Sequence, residues 1–354
     1  MKKYSHLILI LFTFLLLQTA CKDDVDPIAD ETEDYSDVLH NIANNVILPT
    51  YSDLKERAEE LADITSNLEI NPTPSNLLAA QEAWVNARSP WEQSEGFLFG
   101  PVDEEGLDPS LDSWPVNVTD LNNVLNSSNN LTVEFLEAQE GTLKGFHTIE
   151  FLLWGEDGTK SIDEFTDREF EYLSAATGAL ANDAASLADL WLPASGNYIE
   201  YLLTAGDNIL FPSQKSAIEQ IVDALEIIAD EVGNGKINDP LSSQDLSLEE
   251  SRFSANSKAD FADNIRSIQN IYLGMYGNAG NNKGINTIIA ANNPQLNTKI
   301  KNLLEQTIIL IENLPGTFSE AIFNNPSLVS EAQDYVRNIE RILAVEVTTI
   351  VAEL

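Results

Sequence analysis

Apolar residues recur at three- and four-residue intervals along most of this chain, a spacing that a helix turns into a continuous face. Between residues 37 and 68 the pattern runs through Val38, Ile42, Val46, Ile47, Leu54, Ala58, Leu61 and Ile64. It returns at Ile218, Ile221, Leu225 and Ile228, and again at Phe261, Ile265, Ile268 and Tyr272. No stretch alternates polar and apolar residues between turn signals, so no sheet is expected. Pro49 is expected to kink or split the first run. A helix is expected over 76–95, followed by a long Gly- and Pro-rich loop over 96–117; residues 233–245 and 274–284 also read as loops. Other helices are expected over 143–154, 166–190, 213–232, 257–273, 295–314 and 327–353. The fold class is therefore all-α. The chain has 354 residues, and at about 150 residues per domain the helices suit two domains, each resembling a four-helix bundle. The boundary is placed at 155–161, giving an amino-terminal bundle over 35–160 and a carboxy-terminal bundle over 161–354.

Composition narrows what such a scaffold can do. The 57 acidic and 19 basic residues give a formal net charge of −38. A field of that sign repels nucleic acid, whose phosphates are bound by clusters of Lys and Arg. The single cysteine, Cys21, rules out an intramolecular disulfide and a cysteine-rich metal site. Of the three histidines, His6, His40 and His147, only the last two fall in the folded body.

The start of the chain carries an export signal. Lys2 and Lys3 precede an apolar run from Leu7 to Leu17 that is broken only by Thr13, the length of a signal-peptide core. A bilayer span needs about 20 apolar residues. The run ends in Leu17-Gln18-Thr19-Ala20-Cys21, a lipoprotein cleavage box that departs from the usual pattern at Gln18, where an aliphatic residue is expected. Residues 1–20 are read as a lipoprotein signal peptide, Cys21 as the lipid-anchor site, and 21–34 as an acidic tether. The expected location is the outer membrane, with the protein facing the periplasm or the cell surface.

Chemistry concentrates in three segments. In Gly145-Phe146-His147-Thr148-Ile149-Glu150, His147 and Glu150 stand three apart and share a helix face. That spacing serves equally a shared metal ion, as in helical bundles with carboxylate and histidine ligands, or a His–Glu hydrogen bond that helps helices pack. Trp84, Arg88, Trp91 and Glu95 recur at four, three and four, one stripe if Pro90 only kinks its helix. Either Arg88 neutralises Glu92 or Glu95, or Glu95 is a ligand and Arg88 orients it. In Glu249-Glu250-Ser251-Arg252-Phe253-Ser254, Arg252 is expected to pair with a carboxylate elsewhere.

Together these segments resemble the imelysin family, which is also catalogued as a peptidase family and includes iron-regulated protein A. The residues that carry the resemblance are Trp84, Arg88, Trp91, Glu92 and Glu95 with Phe99-Gly100-Pro101-Val102-Asp103, then Gly145-x-His147-x-x-Glu150. Arg252-Phe253-Ser254, Asp260-Phe261, Asn264-Ile265, Tyr272 and Gly274 follow. The resemblance implies paired helical bundles with the motif near their interface, export, and a link to uptake of iron or another metal. His147, Glu150 and Glu95 are then the expected ligands, supported by Gly145, Arg88, Asp103 and Arg252. One imidazole among carboxylates suits iron, manganese or calcium better than a closed zinc site, and iron is favoured. A helical zinc peptidase uses His-Glu-x-x-His, and His147 has no such partner. A metallopeptidase on the same residues, with Glu150 or Glu95 as general base, and a surface lipoprotein that captures a haem protein or another ligand, the motif being merely structural, are the alternatives; the expected small partner is a metal ion or a small iron-bearing ligand. An iron-transport protein is the expected partner.

Overall fold

The computed structural model describes residues 34–354; the expected signal peptide, Cys21 and the tether as far as residue 33 lie outside them. Eight helices of ten or more residues organise the described residues. They are α1 (Leu48–Ile70), α2 (Pro74–Glu92), α3 (Gly145–Trp154), α4 (Asp167–Trp191), α5 (Gln214–Asp230), α6 (Ser257–Leu273), α7 (Pro294–Glu312) and α8 (Pro326–Arg341). The all-α class is thus as expected. The exception among the described residues is a two-residue antiparallel ladder, Met275–Tyr276 against Ala279–Gly280, inside the Gly-rich segment expected as a loop. No helix among the described residues is long and apolar enough to cross a membrane.

The first periodic run is split ahead of Pro49. Ser36–Ile42 is α-helical, Ala43–Ile47 widens into a π turn, and α1 starts at Leu48. The backbone stays right-handed helical at Ile42, Ala43, Ile47 and Leu48, so the run changes pitch ahead of Pro49 and does not end there. Pro90 does not end its helix: α2 continues through it to Glu92, so the stripe of Trp84, Arg88 and Trp91 stays on one face, wholly buried.

Packing links α1 to α2 and α4, with α3 lying on α2 and α4. In the later part of the chain α6 packs on α7, and α8 on α5 and α7. The two sets meet where α2 lies on α6. Helix α4 follows the boundary expected at 155–161, yet Leu173, Ala176, Leu180 and Leu187 are buried along it and it packs on α1 and α3. Helix contacts therefore do not divide the chain at that point, and residues 34–354 hold together as one compact unit. Each buried leucine on such a face contributes about 1.5–3 kcal/mol.

Two of the expected loops are more ordered than their composition suggests. The stretch after α2 holds a 3₁₀ turn at Glu95–Phe97 and short helices at Pro101–Glu104 and Leu107–Asp112. The stretch after α5 forms a π turn at Glu231–Lys236 and a helix at Asn238–Ser243. The second is tied down by α8: Gln333 Nε2 donates to the Gly233 carbonyl at 2.8 Å and Arg337 Nε to Asn234 Oδ1 at 2.7 Å. These tertiary bonds satisfy backbone and amide groups that local sequence leaves open.

Candidate metal centre

Where α2 and α3 face α6, charged side chains that polar patterning alone would place in water lie inside the protein. Arg88 and Glu92 come from one turn of α2, Glu95 from the 3₁₀ turn after it, Asp112 from the end of Leu107–Asp112, and His147 and Glu150 from α3. Lys236 comes from the π turn, Glu250 from the turn before α6, and Asp260 and Asn264 from α6 itself. Their side chains are all 5% exposed or less.

Two glycines allow these elements to meet. Gly145 opens α3 at φ +72°, and a Cβ there would run into the carbonyl oxygens of Leu111 and, at 2.8 Å, Ser110. The close approach sets Asp112 against His147. Gly96 lies so near α6 that a Cβ would stand 2.7 Å from Ser267 Oγ, which brings Glu95 to Asn264. Tryptophans fix the rest: Trp84 Nε1 donates to the Phe146 carbonyl at 2.9 Å and Trp91 Nε1 to Asp112 Oδ2 at 2.7 Å.

His147 has a carboxylate beside each ring nitrogen. Nδ1 lies 3.1 Å from Glu150 Oε2, and Nε2 lies 3.2 Å from Asp112 Oδ1. Burial and the nearby Arg88 charge work against the imidazolium, but the Asp112 and Glu150 carboxylates outweigh them and raise its pKa to about 9. Glu150 is held in turn by Ser254, whose backbone N–H and Oγ donate to Oε1 at 2.8 and 2.7 Å.

Arg88 reaches Asp112, Glu92 and, at 2.9 Å, Glu250, with Nε 3.6 Å from Asp260. Its guanidinium lies 5.2 Å from the Phe146 ring centroid. Lys236 Nζ contacts Glu95 at 2.8 Å and Glu250 at 2.9 Å, and Asn264 Nδ2 donates to Glu92 and Glu95 at 2.5 and 2.7 Å. Burial pushes the carboxyls of Glu92 and Glu95 well up despite Arg88 and Lys236. It raises Asp260 to about 7 against the pull of Arg88. Asp112 goes the other way: burial opposes its ionisation, but Arg88 and His147 hold it well below the usual carboxylate range.

With every carboxyl ionised the charges would not balance. Glu92, Glu95, Asp112, Glu150, Glu250 and Asp260 face only Arg88, Lys236 and His147. Buried anions in excess take up protons or a cation, because isolated buried charge is very costly. The donor atoms fit a cation. His147 with Asp112 and Glu250, Glu92 with Glu95 and Asp112, and Glu92 with Glu250 and Asp260 each offer three ligand atoms within 4.8 Å of one another. Glu250 Oε2 and Asp260 Oδ2 are buried and make no hydrogen bond, and His147 Nε2 faces Asp112 Oδ1 at 3.2 Å without the alignment of one. A single nitrogen among oxygens is a hard site, suited to iron or manganese.

The residues expected from sequence divide accordingly. His147, Glu95, Arg88 and Gly145 come together here. Glu150 joins them from the other side of the ring: it faces Nδ1 at 3.1 Å, while Asp112 lies at Nε2. Asp103 is exposed on Pro101–Glu104, away from the cluster. Arg252 pairs outward with Glu156 at 2.8 Å over the Phe253 ring, and Ser254 supplies that segment's contact to the site. His40 is exposed, with Nε2 2.9 Å from the Leu203 carbonyl. Asp112, Glu250 and Lys236 were not singled out from sequence. The unusual length of 96–117 pointed to the region of the first, and the other two sit in segments that read as ordinary.

The family model for imelysin matches residues 47–343. Iron-regulated protein A of Synechococcus elongatus (strain ATCC 33912 / PCC 7942 / FACHB-805) is 32% identical over 239 residues, 67% of this chain and 64% of that protein. The chain thus spans a little under two thirds of that curated relative. A crystal structure from Parabacteroides distasonis ATCC 8503, described as an iron-regulated protein A precursor, superposes with a TM-score of 0.80 at 26% identity, covering 89% of this chain and 94% of that one. An imelysin-like protein from Psychrobacter arcticum 273-4 shares the fold, with a TM-score of 0.73 at 16% identity over 90% and 95% of the two chains.

Proposed function

Because the chain belongs to the imelysin family, we propose that it is an exported lipoprotein that binds a metal ion, iron favoured, at the buried His147 cluster and serves iron acquisition. The observation that carries this reading is the imidazole of His147: 1% exposed, with Nε2 facing Asp112 Oδ1 at 3.2 Å and Glu250 gathered beside the two. His147, Asp112 and Glu250 would hold the ion, with Glu92 and Glu95 as adjoining oxygen donors. Bound there, a metal supplies the positive charge the buried carboxylates lack. The names of two relatives refer to regulation by iron, which supports iron as the ion. The amino-terminal sequence supports an anchor at Cys21 and an outer-membrane location, a partner in iron transport rests on the family resemblance alone, and the net charge of −38 supports none in nucleic acid.

A peptidase reading has less support. His147 and Glu150 are 1% and 0% exposed, and a peptide bond reaches neither in this conformation. A purely structural ion-pair core draws support from Arg88 and Lys236, which already neutralise part of the cluster. Elemental analysis of protein purified without chelator or affinity tag separates the readings. Iron or manganese in stoichiometric amount, lost in a folded His147→Ala variant, is expected. A metal-free protein that takes up neither ion on loading would overturn the proposal, and metal-dependent cleavage of a peptide library would replace it with the peptidase.

A further inference from the structure

Two cations sit inside the carboxylate cluster, and they are held differently. Arg88 is 0% exposed, meets four carboxylates through a rigid planar fork and lies over Phe146. A guanidinium bound on several sides is fixed in place. Lys236 is a point charge on a flexible four-carbon stem. Its Nζ contacts Glu95 and Glu250 at 2.8 and 2.9 Å, with Glu92 at 3.7 Å. A fourth carboxylate, Glu231, stands 3.8 Å away and differs from the others: its side chain is 45% exposed. Lys236 therefore spans the boundary between the buried acid cluster and the surface.

The backbone beneath it is unusual as well. Glu231 and Lys236 are the first and last residues of one π turn, which contains Gly233 and Gly235. It is one of three π turns among the described residues, with Ala43–Ile47 and Ile342–Val347. This one sets an exposed carboxylate and a buried ammonium within reach of each other. Long Lys stems carry their charge to water readily, so exchange of one carboxylate partner for another needs only side-chain rotation.

We infer that Lys236 is a built-in surrogate cation, which an incoming metal ion displaces from Glu95 and Glu250 and which then pairs with Glu231 at the surface. The inference rests on the metal-binding reading and adds to it the internal competitor that sets how tightly the ion is held. A divalent ion attracts the same carboxylates with twice the charge of an ammonium at low dielectric. The net affinity is the difference between the two, offset in part by what Lys236 regains beside Glu231. Arg88, unable to leave, stays as the fixed positive charge that keeps Asp112 in place.

Two measurements on the full protein test this with Mn(II) alone as the probe. First, the wild-type protein is treated with an amine-acetylating reagent with and without saturating Mn(II), and acetylation of Lys236 is followed by mass spectrometry. Displacement predicts labelling at least about tenfold faster with the metal, as expected of an amine moved from burial to the surface. Second, calorimetric titration is expected to show Lys236→Met binding Mn(II) at least about tenfold more tightly than wild type, and Glu231→Gln binding it more weakly. A Lys236 that stays equally protected, or a folded Lys236→Met that binds no more tightly, overturns the inference while leaving the metal site intact. Wild-type protein that binds no Mn(II) at all overturns both. Should Lys236→Met fail to fold, the wild-type labelling decides alone.

Discussion

Glu150→Gln tests how the site is built, because it changes one charge and no shape. Glu150 Oε1 accepts two bonds from Ser254, at 2.8 and 2.7 Å, and Oε2 faces His147 Nδ1 at 3.1 Å. A glutamine keeps an oxygen for Ser254 and turns its NH₂ toward Nδ1. Replacing charge-assisted bonds by neutral ones costs about 1 kcal/mol of stability, and the fold survives. The larger effect is on the ring. With a carboxylate at Nδ1, a ring that gives up its second proton to an incoming metal keeps the first at Nδ1 and offers Nε2 to the ligand. With an amide donor at Nδ1 the proton moves to Nε2, where it blocks coordination. Loss of such an orienting partner lowers metal affinity about 10–100-fold, or about 1.4–2.7 kcal/mol. Calorimetry with Mn(II) measures the loss, and long-range ¹H–¹⁵N spectra of the imidazole report the tautomer. Affinity within about threefold of wild type, with Nε2 still unprotonated in Glu150→Gln, would refute the reasoning and return Glu150 to a packing role.

The pH dependence has a definite sign. In the metal-free protein the His147 pKa lies at about 9, above its ordinary 6.5. Its pairing with Asp112 and Glu150 therefore stabilises fully below about 6.5 and is lost as pH rises through about 9, about 3 kcal/mol in all. Metal affinity should run the other way, climbing with pH up to about 9 as the Nε2 proton becomes easier to displace; denaturant melts and Mn(II) titrations across that window check both. Gly145→Ala forces an alanine into left-handed backbone against Leu111 and Ser110. It should cost about 2–5 kcal/mol in urea unfolding and weaken metal binding by moving Asp112. Asp103→Asn and Arg252→Ala, at positions away from the cluster, should each change stability by less than about 1 kcal/mol and leave Mn(II) affinity as it is.

What was legible in the sequence was what is local. Helix periodicity is carried by neighbours three and four apart, so the class and most helices follow from it. So does the shared face of His147 and Glu150, although sharing a face did not reveal that the two meet through Nδ1. The Trp84–Arg88–Trp91 stripe was legible because tryptophan beside charge makes sense only in an interior. The remainder depends on distant parts of the chain. Asp112, Glu250 and Lys236 are ordinary polar residues in their own segments, and only tertiary packing buries them. The order in 231–243 comes from Gln333 and Arg337, about a hundred residues on. Arg252 stands out as the one basic residue of its segment, but its partner Glu156 is at the surface, and the quieter Ser254 reaches the site.

The central claim is that carboxylates from separate elements converge on His147 Nε2 to hold a cation. Crystals grown with Mn(II), with anomalous scattering recorded to locate the ion, test it most directly. The account predicts a peak bonded to His147 Nε2 with oxygens of Asp112 and Glu250 around it and Glu150 on the far side of the ring. A peak at Nδ1 beside Glu150, or manganese confined to surface carboxylates while His147 stays between Asp112 and Glu150, would contradict it.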